Sequence, residues 1–258
     1  MHSKNETLAI GWCDGGHTEG KFTEGLFYTM LQSKVKITDG IRVNGNQIGR
    51  QREVLIRNWY ENSKTDWLLW LDSDIVLTTD VLDLLWETAD KVSKPVVTGV
   101  YFISKENEQS MMMPMPCIFT ETDSEYELQY IHPMPDNEVI KVDCAGMGLV
   151  LMHRTAVQKV LEKAGDEPVF AEIGNIGNKF VSEDIVFFRK LKEAGIPVYA
   201  HTGAQVRHMK QFSFDINYYQ AYWTLAFLEQ QQAAAIAQMQ QEQEGLIVPE
   251  KKLIVPGE

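Results

Sequence analysis

Three cysteines are all that the 258 residues contain. Cys13, Cys117 and Cys144 stand far apart with no CxxC pair, which excludes a disulfide framework and a zinc ribbon and fits reduced thiols. Basic residues are scarce beside acidic ones: 24 Lys and Arg against 36 Asp and Glu leave a formal net charge of −12. A nucleic-acid groove needs clustered cations facing phosphates, so that class is excluded, whereas a phosphate ligand held through a metal ion is not. Long apolar runs are missing too. Nothing approaches the roughly 18 consecutive apolar residues of a membrane span, and the start, MHSKNETLAIGW, lacks the apolar centre of an export signal. No membrane span and a cytoplasmic location are therefore expected.

What is present is an ordinary globular composition, 44% apolar and 23% charged, in a chain long enough for one large domain. TLAIGWC (7–13) reads as a first strand, followed by the Gly-rich DGGHTEGK and the helical spacing of FTEGLFYTML. VKITD is a short second strand, and NQIGRQREVLIRNWYEN (46–62) a second helix. DWLLWLDSD is apolar on both faces, as a central parallel strand covered by helices would be. Thr79 is expected to cap the next helix, DVLDLLWETADKV, before PVVTGVYFI resumes strand character. This alternation predicts an α/β domain. The Met- and Pro-rich middle, from Met111 to Gly146, carries only short strand pieces. GLVLMHR, two amphipathic helices (TAVQKVLEKAG and EDIVFFRKLKEAG) and the strand region VYAHTGAQVRHM follow.

The expected boundaries are a catalytic-sized domain over 1–211, with halves 1–104 and 105–211, then a helical extension over 212–245 and a tail over 246–258. The aromatics from Phe212 to Phe227 are assigned to core packing, with a contact to a second copy of the chain, and hence a homo-oligomer, as the other role.

The run Trp67–Leu71 ends in Asp72-Ser73-Asp74. If the chain stays extended, both acids face one way and Ser73 the other. They fall beyond the carboxyl end of a strand, where open α/β sheets bind ligands. Two carboxylates so close repel unless a cation settles their charge. Mg²⁺ or Mn²⁺ does so and keeps positions open for diphosphate oxygens. The plainer reading is that the acids begin a turn.

Two families compete for these features. Gly15 to Lys21 has the GxxxxGK spacing of a P-loop nucleotidase, but Phe22 follows Lys21 where a Ser or Thr must hold Mg²⁺. Over residues 7–210 the chain resembles the GT-A fold glycosyltransferases that carry a DxD motif, with their mannosyltransferase, viral and bacterial branches. WLLWLDSDIV resembles their DxD strand, GRQREVLIRNW their preceding helix, DCAGMGLVLMHR their acceptor-side turn, and SEDIVFFRKLKEAGIPVYAHTGAQVRHMK their closing segment.

The resemblance implies a Rossmann-like, mainly parallel sheet flanked by helices and a metal-dependent transfer of sugar from a nucleoside diphosphate, UDP- or GDP-linked, to an unknown hydroxyl acceptor. It also implies roles. Asp72, Asp74 and His208 would hold Mn²⁺ or Mg²⁺, with His201 as the substitute for His208. Asp184, or failing it Glu183, would take the acceptor's proton. Ile10, Gly11, Trp12 and Asp14 would border the nucleotide, with Arg52, Asp72 and Ser73 near its phosphates or sugar. Gly146 and Gly148 would let backbone approach the sugar. The family often has Asn where Glu53 stands. A binding module that kept the fold without turnover is the third reading. Acids in a first turn, such as Glu183 and Asp184, also suit a helix dipole without any catalysis.

Overall fold

The computed structural model describes residues 5–106, 112–123, 126–176, 179–210 and 216–245. The chain divides into two units, Met1–Lys210 and Gln211–Glu258.

The first unit begins β1 (Leu8–Asp14), α1 (Gly20–Gln32), β2 (Ile37–Asn44), α2 (Ile48–Asn62), β3 (Trp67–Leu71), β4 (Ile75–Val76), α3 (Thr79–Thr88) and β5 (Val96–Val100). Short strands follow: β6 (Phe102–Glu106), β7 (Met112–Pro116), β8 (Ile118–Glu121), β9 (Leu128–Tyr130), β10 (Val139–Val142) and β11 (Cys144–Ala145). It ends with β12 (Leu149–His153), α4 (Arg154–Ala164), β13 (Gly174–Ile176), β14 (Lys179–Val181), α5 (Glu183–Glu193), β15 (Val198–Gln205) and β16 (Arg207–His208). The cap position of α3 falls on Thr78 rather than Thr79, and its side chain makes no capping hydrogen bond.

Seven strands form the main sheet, in the order β10-β15-β5-β12-β3-β1-β2. β1, β2, β3, β5 and β15 run one way; β12 and β10 oppose them. β3 is central, but only its β1 neighbour is parallel; β12 pairs with it antiparallel, Leu149 opposite Leu71 and His153 opposite Trp67. Apolarity on both faces reports burial, and both directions satisfy it.

The pleat of β3 sends alternate side chains to two cores. Leu68 and Trp70 pack with Leu55, Ile56 and Trp59 of α2, Val157 of α4 and Phe187 and Phe188 of α5. Trp67, Leu69 and Leu71 pack with Phe22 of α1 and Val81, Leu82 and Leu85 of α3. All five β3 side chains are buried; a Leu so placed contributes roughly 1.5–3 kcal/mol.

Helix α2 is aimed by three contacts. A Cβ on Gly11 would stand 2.7 Å from Leu55 Cδ2, so the missing side chain lets the helix lie close on β1. At the other end, Arg154 donates to the carbonyls of Tyr60, Ser63 and Thr65 at 2.8, 2.9 and 2.9 Å and lies 4.5 Å over the Trp59 ring. The Tyr60 carbonyl is one that a helix end leaves without an internal partner. Laterally, Glu53 Oε2 accepts from the amides of Val169 and Phe170 at 2.7 and 3.0 Å. Glu53 is thus a tether between α2 and the segment leading to α5.

Beyond Leu71 the chain does not stay extended. The Ile75 amide donates to the Asp72 carbonyl at 2.9 Å, closing a turn over Asp72–Ser73–Asp74. β4 then pairs antiparallel with β16, Ile75 opposite His208 and Val76 opposite Arg207, and the Met209 amide donates to the Asp74 carbonyl at 2.7 Å. This ribbon joins the strand-end acids to the end of the first unit.

In the second unit, α6 (Ile216–Gly245) is one continuous helix. Tyr219, Trp223 and Phe227, assigned to core packing on sequence grounds, are 59%, 56% and 59% exposed. They recur every fourth residue and so share one face. The expected tail, 246–258, lies outside the described residues. Among the described residues, no helix is long and apolar enough to cross a membrane.

Candidate active site

Arg52 is the centre of the site. Its guanidinium, 5% exposed, reaches from α2 across the carboxyl end of β3. Nη1 donates to Glu183 Oε1 at 2.6 Å and also to Asp184 Oδ1; Nη2 donates to Asp72 Oδ1 and Oδ2 at 3.1 and 3.3 Å. One cation therefore faces three carboxylates from two distant parts of the chain. Burial works against the guanidinium charge, but Asp184, Asp72 and Glu183 outweigh it and raise its pKa. Burial, and then the neighbouring Asp184 charge, push Glu183 up from 4.5 to about 7. Asp184, 22% exposed against 9% for Glu183, is the acid that a solute reaches. Its Oδ2 accepts from the Met147 amide at 3.2 Å, which fixes the carboxylate plane from the β11–β12 turn.

That turn also explains its glycines. A Cβ on Gly146 would stand 1.9 Å from the Tyr101 hydroxyl, and one on Gly148 2.8 Å from its ring. Tyr101, which accepts from the Gly148 amide at 3.3 Å, therefore demands glycine at both positions, with no ligand needed to explain them. Gly148 in turn accepts from the Asp72 amide at 3.0 Å, so Tyr101, the turn and the strand-end acids form one packed unit.

Asp74 points to a different set of partners. Its Oδ2 lies 3.2 Å from His208 Nε2 and 2.7 Å from Lys210 Nζ. Burial would raise this carboxyl, but the bonds with His208 and Lys210 prevail and hold it at about 2. The other imidazole nitrogen, Nδ1, lies 3.0 Å from the Phe102 carbonyl. A carbonyl only accepts, so Nδ1 carries a proton there. Nε2 then faces the Asp74 carboxylate either through a second proton or as a lone pair opposite an anion, an arrangement completed by a bound cation. Metal-bound imidazoles use their second nitrogen in the same way, donating to a carbonyl. Tyr101 packs edge-on against the ring, centroids 5.0 Å apart, and keeps its orientation.

Asp74 and His208 thus suit a hard divalent ion at two positions, leaving the remainder of the shell to a ligand's oxygens. Asp72 is turned toward Arg52, and among the described residues no group of three His, Cys, Asp or Glu stands together as a ready-made cage.

Other residues singled out on sequence grounds take varied places. Asp14 ends β1 with its carboxylate gripped by Arg42 Nε and Nη2 at 2.6 and 2.8 Å and by the Gly16 amide at 2.8 Å; Arg42 foremost keeps its pKa low. Gln51 Nε2 bridges the Asp14 and Val43 carbonyls at 2.9 and 3.0 Å. Beside them opens a groove of about 340 Å³ lined by residues from Val43 to Val54, among them Asn44, Gln47 and Arg50. Trp12 is half-buried against Phe22.

Ile10 and Gly11 do not border this groove. They lie mid-strand, Ile10 in the core under α1 and α3 and Gly11 beneath Leu55, because β1 continues to Asp14. Ser73 is partly exposed in the turn. His201 is buried in β15 opposite Val139, its Nδ1 accepting from the Gly203 amide at 3.1 Å, and takes no part in the Asp74 cluster. Lys21 pairs with Glu24 at 2.6 Å on the exposed face of α1. Tyr101 and Lys210 belong to the site but were not singled out. Lys210 lies two residues past His208, and nothing in its neighbours marks it. Tyr101 is signalled indirectly, because paired glycines imply a bulky partner.

No family model matches the sequence, and no curated protein matches it. Among solved structures the chain is similar to the crystal structure of A197 from STIV, with a TM-score of 0.52 and 16% identity over 80% of this chain and 86% of that one. It is likewise similar to GalNAc-T7 crystallised with UDP, GalNAc and Mn²⁺, with a TM-score of 0.51 and 9% identity over 80% of this chain. The chain folds as a GT-A domain. The likeness to GalNAc-T7 spans 44% of that longer chain. At these identities the likeness is one of fold alone, and in this chain that fold is a mixed, mostly parallel seven-stranded sheet between helices.

Proposed function

We propose that this GT-A domain transfers a sugar from a UDP- or GDP-linked donor to a hydroxyl acceptor, with a divalent ion, Mn²⁺ or Mg²⁺, held by Asp74 and His208. The observation that carries the reading is the His208 imidazole: its Nδ1 is committed to a carbonyl while its Nε2 faces the Asp74 carboxylate. When bound, the ion supplies positive charge to the departing diphosphate.

The protein's own groups do the rest. The groove beside Asp14 and Gln51 receives the nucleoside. Asp72, oriented by Arg52 and 30% exposed, faces the donor's sugar half. Asp184, held by Arg52 and the Met147 amide, accepts the proton of the acceptor hydroxyl as that oxygen attacks the anomeric carbon. Glu183 stays behind it as a buried support whose raised pKa reduces the repulsion in the cluster.

The test is ligand-dependent thermal stability, with UDP and GDP each added with and without Mn²⁺. Ligand at a hundredfold its dissociation constant stabilises by about 2.7 kcal/mol, a rise of about 5–10 °C for a domain of this size. Wild type should show that rise with one nucleotide only when Mn²⁺ is present, and Asp74→Ala should lose it. Asp184→Asn should keep the rise yet lose sugar transfer. An Mn²⁺-dependent rise that survives Asp74→Ala would remove the basis of the proposal.

A further inference from the structure

Besides His208, the Asp74 carboxylate has a second partner. Lys210 Nζ lies 2.7 Å from the same oxygen, Oδ2, that faces His208 Nε2. The backbone holds the pair in register, since the Met209 amide donates to the Asp74 carbonyl at 2.7 Å. The Lys210 side chain is nevertheless 60% exposed, whereas those of Asp74 and His208 are 30% and 9% exposed. The carboxylate and the imidazole are thus packed in, and the ammonium is the member that reaches solvent.

We propose that Lys210 is an exchangeable occupant of the cation position, and that it makes metal binding depend on the nucleotide. The inference rests on the reading that Asp74 and His208 hold the metal. With the site empty, the ammonium neutralises Asp74. A divalent ion arriving alone must displace it and then tolerate a like charge nearby, with no anion to receive that charge. A nucleoside diphosphate arriving with the ion supplies that anion. The flexible four-carbon stem lets the ammonium swing from Asp74 Oδ2 to a phosphate oxygen, a point-charge contact that lysine makes readily. Metal and nucleotide then reinforce one another, each binding more tightly in the presence of the other.

The nearby charges support this exchange. Asp72, the other strand-end acid, is already held by Arg52 and is not available to receive the displaced ammonium. Arg207, the neighbouring cation on the ribbon, stands opposite Val76 and lines the groove between α1 and the start of α3.

Isothermal titration of the full chain with MnCl₂, in the presence and absence of UDP or GDP, tests this. Replacing the ammonium by the similarly long Met in Lys210→Met should tighten Mn²⁺ binding without nucleotide by about tenfold and loosen nucleotide binding with Mn²⁺ by about as much, a modest coupling on the usual scale. Lys210→Arg, which keeps the charge, should behave as wild type in the nucleotide-free titration. If Lys210→Met binds Mn²⁺ no more tightly than wild type without nucleotide, while wild type binds it normally with nucleotide, the exchange is refuted and the metal site stands. If neither protein binds Mn²⁺ under any of these conditions, the metal site itself falls and the exchange with it.

Discussion

Replacing Arg52 by Met tests the electrostatic centre of the molecule. The side chain is 5% exposed and faces Glu183, Asp184 and Asp72, so the substitution fills most of the same space but leaves three carboxylates without their cation. Removing one partner of a buried ion cluster costs about 3–5 kcal/mol. In a domain of this size each kcal/mol is worth about 2–4 °C, so the melting temperature should fall by about 6–20 °C. The loss should depend on pH, with a sign set by Glu183. Its folded-state pKa is raised from 4.5 to about 7. The folded state therefore holds a proton that the unfolded state has released, and this contribution is complete below about 4.5 and lost as pH rises through about 7. Without Arg52 the acids repel more strongly, so the deficit relative to wild type should be larger at pH 8 than at pH 5.5. Adding Glu183→Gln to Arg52→Met should recover part of it, a non-additivity that identifies the pair as coupled. Scanning calorimetry at the two pH values decides the matter. A deficit under about 3 °C, or one larger at pH 5.5, would refute the reasoning.

Two more substitutions probe neighbouring claims. Gly146→Ala places a Cβ 1.9 Å from the Tyr101 hydroxyl and 2.6 Å from Cys117 Sγ, and such overpacking should cost about 1–3 kcal/mol by chemical denaturation; a neutral result would show that Tyr101 does not set this turn. Lys21→Ala removes only an exposed pair with Glu24 and should leave nucleotide-dependent stabilisation unchanged, whereas a P-loop enzyme would lose it.

The order of the first strands and helices was legible because each segment carries one clear period: TLAIGWC and WLLWL as buried strands, FTEGLFYTML and REVLIRNW as helices. The direction of β12 was not, since Leu149–His153 is buried throughout and its pattern is the same read either way. Asp72, Asp74, Glu183, Asp184 and His208 stood out by residue type and position, but their grouping did not follow from spacing. Alternation along an extended chain placed the two strand-end aspartates together, and the turn closed by the Ile75 amide sends them to different partners. Arg52, expected near the phosphates or sugar, unites acids 20, 131 and 132 residues away, a convergence that appears only once α2, the end of β3 and the start of α5 are brought together. Gly11 belongs to the Ile10–Asp14 stretch expected to border the nucleotide, and the pressure of Leu55 on it from across the fold leaves no mark nearby in the sequence.

The separation between Arg52 and Asp184 also has a bearing on how the molecule is born. A ribosome adding about 5–20 residues per second needs roughly 7–26 s to travel those 132 positions. Once Asp72 follows, 20 positions on, it is the guanidinium's one available companion from this cluster for the rest of that interval, and Asp74 awaits both His208 and Lys210. The half-made chain therefore carries unbalanced charge at the rim of an incomplete sheet until the segment ending at Lys210 supplies β15 and the missing partners of Arg52 and Asp74.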